Sequence, residues 1–244
     1  MKILIYLFIL ASLLFASCKK ENMGDCFKGT GNIITESREL PFFDSIYVET
    51  NINVFITIDS TVREVKVEAG ENLLPHIITK VENGKLLIRN NNRCNFARSY
   101  KKEITVHITL PVIKAIASDS QGFIKSTNTL RSDTVDITIK NAGDIDLKLD
   151  VRHVLTHMHG AGDVILSGKT GVHEIHAVGN SFIRCADLFT GYTFIWANTT
   201  GNIYVNATKG LGVTIVGSGN VYYSGNPQVI TSKTTGTGQI IEQK

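Results

Sequence analysis

One short phrase recurs along the second half of this chain: a glycine, then Asp or Asn, then Ile or Val, then an alternating strand. It reads "NAGDIDLKLD" from residue 141, "GAGDVILSGK" from 160, "TTGNIYVNAT" from 199, "GSGNVYYSGN" from 217 and "GTGQIIEQ" from 236. With the glycine as anchor the series is Gly122, Gly143, Gly162, Gly179, Gly201, Gly219 and Gly238, at steps of 21, 19, 17, 22, 18 and 19 residues. A meander of hairpins has no need of such long, regular steps. A period near 19 that persists over seven copies is the mark of a solenoid, in which each coil buries its apolar face only against its neighbours.

Aligned on the anchors, apolar residues fall at alternate positions, as a strand with one buried face requires. Two after the glycine stand Ile124, Ile145, Val164, Ile203, Val221 and Ile240, with Ser181 the exception; four before it stand Ile139, Met158, Ile175, Ala197 and Ile215. The glycine is assigned to a corner where a positive φ is useful and a Cβ is not. The Asp or Asn after it is assigned to a turn in which it bonds its own backbone. Residues 31–110 also alternate, in "SIYVETNINVFITID" and "KEITVHITLP", and "VENGKLLI" carries a hairpin turn, but no fixed period holds. No stretch keeps helical periodicity over three turns. The expectation is an all-β chain: a parallel β-helix with a less regular β N-terminal part, 31–244 forming one unit.

The beginning reads differently. "MKILIYLFILASLLFASC" has a charged start and an apolar run too short for a membrane span of about 20 residues. It reads as a signal peptide over residues 1–17, and the small residues before Cys18 resemble a lipobox, with Cys18 as the lipidation site. Plain secretion, with Cys18 discarded, is the alternative. Residues 18–30 read as a tether, and the lipid places the protein at the bacterial outer membrane, on its periplasmic or its surface-exposed face. Three cysteines then remain. Cys26 and Cys94 lie in polar, loop-like sequence and are the expected disulfide, against the alternative of three free thiols. Cys185 lies in an alternating strand and is expected to point inward, alone.

The pieces "FFDSIYVETNINVFI", "VKVEAGENLLPHI", "VENGKLLIRN" and "ITVHITLP", followed by the Gly-Asp/Asn-Ile/Val repeats, resemble the auto-transporter adhesin, head GIN domain family, in order over about residues 31–240. The resemblance implies a right-handed β-helical domain, often on envelope lipoproteins, and no catalytic residues.

Direct reading of the residues adds little chemistry. With 25 Lys and Arg against 22 Asp and Glu, the net charge is +3, and no basic stripe with interleaved aromatics marks a nucleic-acid partner. In the anchored alignment His157, His159, Glu174 and His176 fall outward on adjacent coils, the only candidate Zn²⁺ patch; the plainer reading is a solvated sheet face without metal. The Asp/Asn corners could be taken for a calcium ladder, but calcium-binding β-rolls use a nine-residue repeat. No paired carboxylates for glycoside hydrolysis and no nucleophile elbow emerge. Tyr192, Trp196, Tyr204 and Tyr222 supply outward aromatics, the last two expected to stack on each other. The expected function is a non-enzymatic envelope lipoprotein that adheres through an unknown protein or glycan ligand, without cofactor. A polysaccharide-active enzyme and a structural spacer are the alternatives.

Overall fold

The computed structural model describes residues 29–92 and 103–243. Cys18, Cys26 and Cys94 lie outside them, so the lipidation site and the proposed disulfide do too.

The chain is a β-solenoid, with one short 3₁₀ turn among the described residues, at Leu74–His76. In the regular part, β9 (Ile124–Ile139), β10 (Ile145–Met158), β11 (Val164–Gly179), β12 (Ile183–Thr199) and β13 (Ile203–Ile215) are successive coils, each paired in parallel with the next. A bend within these strands shows as a change in the parity of the inward positions, once in β10 and twice in β12. In β10 the inward positions run 145, 147, 149 and 151, then resume at 154, 156 and 158. The change from odd to even numbers at 152–153 is the bend. The last coil is split into β14 (Val221–Ser224) and β15 (Val229–Thr234), which stack on the two halves of β13, and β16 (Ile240–Glu242) stacks on β14.

The N-terminal part does not follow chain order. β2 (Ser45–Thr50) and β3 (Asn53–Ile58) form a coil that pairs with β8 (Ala115–Ser120) and the start of β9. On their other edges they pair with β6 (Lys85–Asn90) and β7 (Thr105–Leu110). The chain therefore lays down one coil, passes outward to build a second beyond it, and returns to continue on the first. Three antiparallel strands finish that end: β5 (Ile77–Glu82) on β6, β4 (Glu64–Gly70) on β7, and β1 (Ile33–Arg38) on β4. β5 and β6 are the expected Asn-Gly hairpin, with both turn residues, Asn83 and Gly84, at positive φ.

The core is one continuous column of aliphatic side chains. Ile124, Ile145, Val164, Ile183, Ile203 and Val221 are each fully buried and stacked coil on coil. Cys185 belongs to this interior, buried beside Val205, its thiol pushed up to about 12 by burial.

The structure corrects the account of the corners. Gly122, Gly143, Gly162, Gly201, Gly219 and Gly238 do not have positive φ. They are glycine because coils pass too close for a side chain: a Cβ on Gly162 would lie 2.1 Å from the carbonyl oxygen of Gly143, and one on Gly238 equally close to that of Gly219. Gly179, taken above as an anchor, belongs to a neighbouring column and sits over Gly160; it is the one with positive φ, at 106°. The true corner residue of that coil is Ser181, beside whose carbonyl Gly201 passes. Ser181 is buried, and its hydroxyl donates to the Gly160 carbonyl at 2.8 Å.

The Asp and Asn after the corner glycines bond across coils. The Asp144 carboxylate accepts from the backbone N–H of Asp163 at 2.8 Å, Asp163 from Phe182 at 3.1 Å, Asn202 from Asn220 at 3.0 Å, and Asn220 from Gln239 at 2.9 Å. Asp163 also holds Arg184 at 2.8 Å. Each of these corner residues thus gives an oxygen to a hydrogen bond between coils.

Candidate functional site

The expected histidine–glutamate quartet is not brought together. His157 stands beside His176, ring centroids 5.7 Å apart, but Glu174 stands beside Leu155 rather than His157. His159 lies beyond the paired stretch of β10. Glu174 bonds instead to the Nε2 of His153 at 2.9 Å, a residue the sequence reading passed over. Among the described residues no group of three His, Cys, Asp or Glu could hold a metal. His173 turns inward, as the alternation requires. It is fully buried with Nε2 2.9 Å from the Thr156 hydroxyl, and burial, helped by His153 nearby, drives its pKa down to about 3.

The outward aromatics do converge. Tyr204 and Tyr222 stack at 4.9 Å and 9° on the face that begins each coil. On the face that ends each coil, β12 carries Tyr192, Phe194 and Trp196 at alternate positions, all outward. Tyr192 is 44% exposed and Phe194 is 50% exposed. Their register explains the exposure. Tyr192 pairs with Gly210, Phe194 with Gly212 and Trp196 with Thr214. A Cβ on Gly210 would be 2.8 Å from the Tyr192 ring, and one on Gly212 would be 2.9 Å from the Phe194 ring. The rings thus lean into space that side chains on β13 would fill, covering backbone that glycine would leave open to water. Phe194 and the two glycines are the part of the site that was not singled out. Their signal was the alternation in "YTFIW" followed one coil later by "GLG".

The result is a trough of about 400 Å³. Its floor is Gly212 and Thr214, one wall is Phe194 and Trp196 backed by Glu174 and His176, and the other is Thr231 and Lys233 of β15. His176 stacks on Trp196 at 5.8 Å, bracing the indole from the neighbouring coil. Lys209 places its ammonium 5.9 Å from the Tyr192 ring centre. A volume near 400 Å³ lies in the range of small-ligand sites, about 300–1,000 Å³. A second hollow, of about 330 Å³, lies at the opposite end under Phe42 and Phe43, where Arg63 covers the Phe42 ring at 4.8 Å. Among the described residues no helix is long and apolar enough to cross a membrane.

Comparison with known proteins agrees with this architecture. The chain aligns over 88% of its length with all of a "putative adhesin" from Bacteroides fragilis NCTC 9343, at 22% identity and a TM-score of 0.83. It aligns over 89% with all of a "putative lipid binding protein" from Parabacteroides distasonis ATCC 8503, at 20% identity and a TM-score of 0.70. A "putative adhesin" from Parabacteroides merdae ATCC 43184 aligns over 88% of this chain and 98% of its own, at 15% identity and a TM-score of 0.61. At such identities the likeness is one of fold. No curated protein matches the chain. The family model described as "Putative auto-transporter adhesin, head GIN domain" matches residues 42–227, and the chain belongs to that family.

Proposed function

We propose that this chain is a non-catalytic adhesion module of the bacterial envelope that engages its ligand in the trough beside Tyr192, Phe194 and Trp196. One observation carries the reading: three outward aromatic side chains stand in a row on β12, a strand bonded on both sides. Large exposed apolar groups on a rigid scaffold mark contact surfaces. Among the described residues Glu174 is the only carboxylate lining the trough, and it is engaged by His153. Glycoside hydrolysis needs two carboxyl groups about 5–10 Å apart, so binding without turnover suits this surface better. The envelope placement follows from the family, and the lipid anchor at Cys18 with a tether over 18–30 from the sequence. That anchor puts the module at the outer membrane.

The test is a cell-adhesion assay. Cells carrying the native chain adhere to a target surface, bacterial or host, and cells carrying the Tyr192→Ala/Phe194→Ala double variant at equal surface density lose that adhesion. Equal adhesion by both strains refutes the reading. Release of sugar or other product from the target by the purified chain refutes its non-catalytic part.

A further inference from the structure

We infer that the ligand of this trough is a glycan, held as a short oligosaccharide whose pyranose faces stack on Tyr192, Phe194 and Trp196 while its hydroxyls bond to Glu174, Thr231 and Lys233. The inference deepens the adhesion reading and rests on it.

The first reason is the spacing. Side chains on one face of a strand recur every two residues, about 6.6–7 Å, so Phe194 and Trp196 in the trough and Tyr192 just beyond its lining offer successive platforms over about 13 Å along β12. A chain of linked sugars presents a repeating apolar C–H face and a repeating rim of hydroxyls. The trough supplies the complement of both: ring surface along one wall, with donors and acceptors of both charge signs in the walls.

The second reason is what the surface denies to other ligands. An extended peptide gains most of its affinity on a sheet by adding a strand to an open edge. β12 is paired along both edges, with β11 and β13, and β13 lies between β12 and β15. The ring-bearing strand and the floor of the trough therefore offer a peptide no open main-chain groups to pair with; the edge left unpaired among the described residues is that of β15, on the side turned away from the floor. Nucleic-acid bases also stack on aromatics, but their phosphates require a cationic track. Here Lys233 is opposed by Glu174 across the same trough.

The third reason is how the rings are held. Tyr192 and Phe194 are packed against the glycine strip, and His176 stacks on Trp196. Rings fixed before the ligand arrives lose little freedom on binding, which a weakly adhesive sugar surface needs.

Trp196 is the only tryptophan in the chain, so its emission reports occupancy of the trough without a label. The detergent-solubilised full chain is applied to an array of bacterial, mammalian and plant oligosaccharides. Those that bind are then titrated in solution against Trp196 fluorescence. The expected result is a saturable emission change with a neutral or weakly charged oligosaccharide. Tyr192→Ala and Phe194→Ala should each weaken it by about tenfold, the loss of one stacked ring. Tyr222→Ala, on the other face, should leave the affinity unchanged. Binding of no arrayed oligosaccharide, unchanged affinity in Phe194→Ala, or tighter binding of single-stranded DNA or of a peptide overturns the inference. Whole-cell adhesion separates the two readings. If the Tyr192→Ala/Phe194→Ala variant loses adhesion but periodate treatment of the target surface has no effect, the glycan is wrong and the adhesion module stands. If the variant adheres normally, both fall.

Discussion

His173 makes the solenoid sensitive to mild acid, by an amount the structure allows to be worked out. The imidazole is fully buried, its Nε2 is taken by Thr156, and its Nδ1 has no hydrogen-bond partner among the described residues. Desolvation holds its folded-state pKa down to about 3, against an ordinary 6.5 in the unfolded chain. Above pH 6.5 the ring is neutral in both states and stability is unaffected. Below it the unfolded chain takes up a proton that the folded chain refuses. Stability then falls by about 1.4 kcal/mol per pH unit until the folded pKa is reached. At pH 5 the loss from this residue is about 2 kcal/mol, a large share of the roughly 5–15 kcal/mol that holds most domains. Asp44, whose carboxyl is held below its usual range chiefly by the hydrogen bond from Lys114, adds its own loss only at more acid pH. Urea unfolding followed by Trp196 emission at pH 7 and pH 5 measures the effect. His173→Leu, of similar bulk and without a titrating group, is the reference. The drop in unfolding free energy between the two pH values should be about 2 kcal/mol smaller in the variant. An equal drop in both proteins refutes the assignment of a neutral buried imidazole.

Gly162→Ala should destabilise the protein by about 1–3 kcal/mol in denaturant unfolding, because the new methyl meets a backbone carbonyl rather than a yielding side chain; an unchanged midpoint would contradict the close-approach account of the corners. Asp163→Ala removes an acceptor from the Phe182 N–H and the partner of Arg184, and should cost about 1–2 kcal/mol in the same assay, with no effect if the ladder bonds contribute nothing. The Cys185 thiol should resist a thiol reagent in the folded protein and react on unfolding, while a non-reducing digest should recover Cys26 and Cys94 in one crosslinked pair of peptides. Metabolic labelling with a clickable fatty acid should mark the native chain and not Cys18→Ala; equal labelling would remove the lipid anchor.

Which side chains face inward was legible from alternation alone, because strand parity survives an error of two residues. Cys185 was placed inside correctly although Gly179 is not the corner of its coil. Neighbours across the coil were not legible for the same reason. A Gly-x-Gly corner offers two glycines two residues apart, and in this coil the corner itself is Ser181, so the nearest glycine misaligned Glu174 with His157. The same error hid the His153–Glu174 pair. Coil lengths vary where residues bulge, as between Cys185 and Phe189, and nothing local in the sequence fixes where a bulge falls. The trough needed register more than parity: Tyr192 and Trp196 could be read as outward, but only their pairing with Gly210 and Thr214 shows that one wall is tall and the floor is bare. In the N-terminal part the period failed because coil neighbours there are not chain neighbours. Ile46 meets Ile116, and Val54 meets Ile124, across 70 residues.

That detour gives the molecule a direction of assembly. From β9 onward each new coil finds its template about 19 residues back, a short loop to close, so the order can propagate one coil at a time as the chain lengthens. The coil of β2 and β3 is synthesised first, yet it lacks a neighbour on one side until β8 and the start of β9 exist. Its other neighbour, β6 and β7, must be built in between. The first coil made therefore carries the longest-range strand pairings, the kind of contact that slows folding most. An emerging chain of this design stays open at its leading end until about half of it has been made.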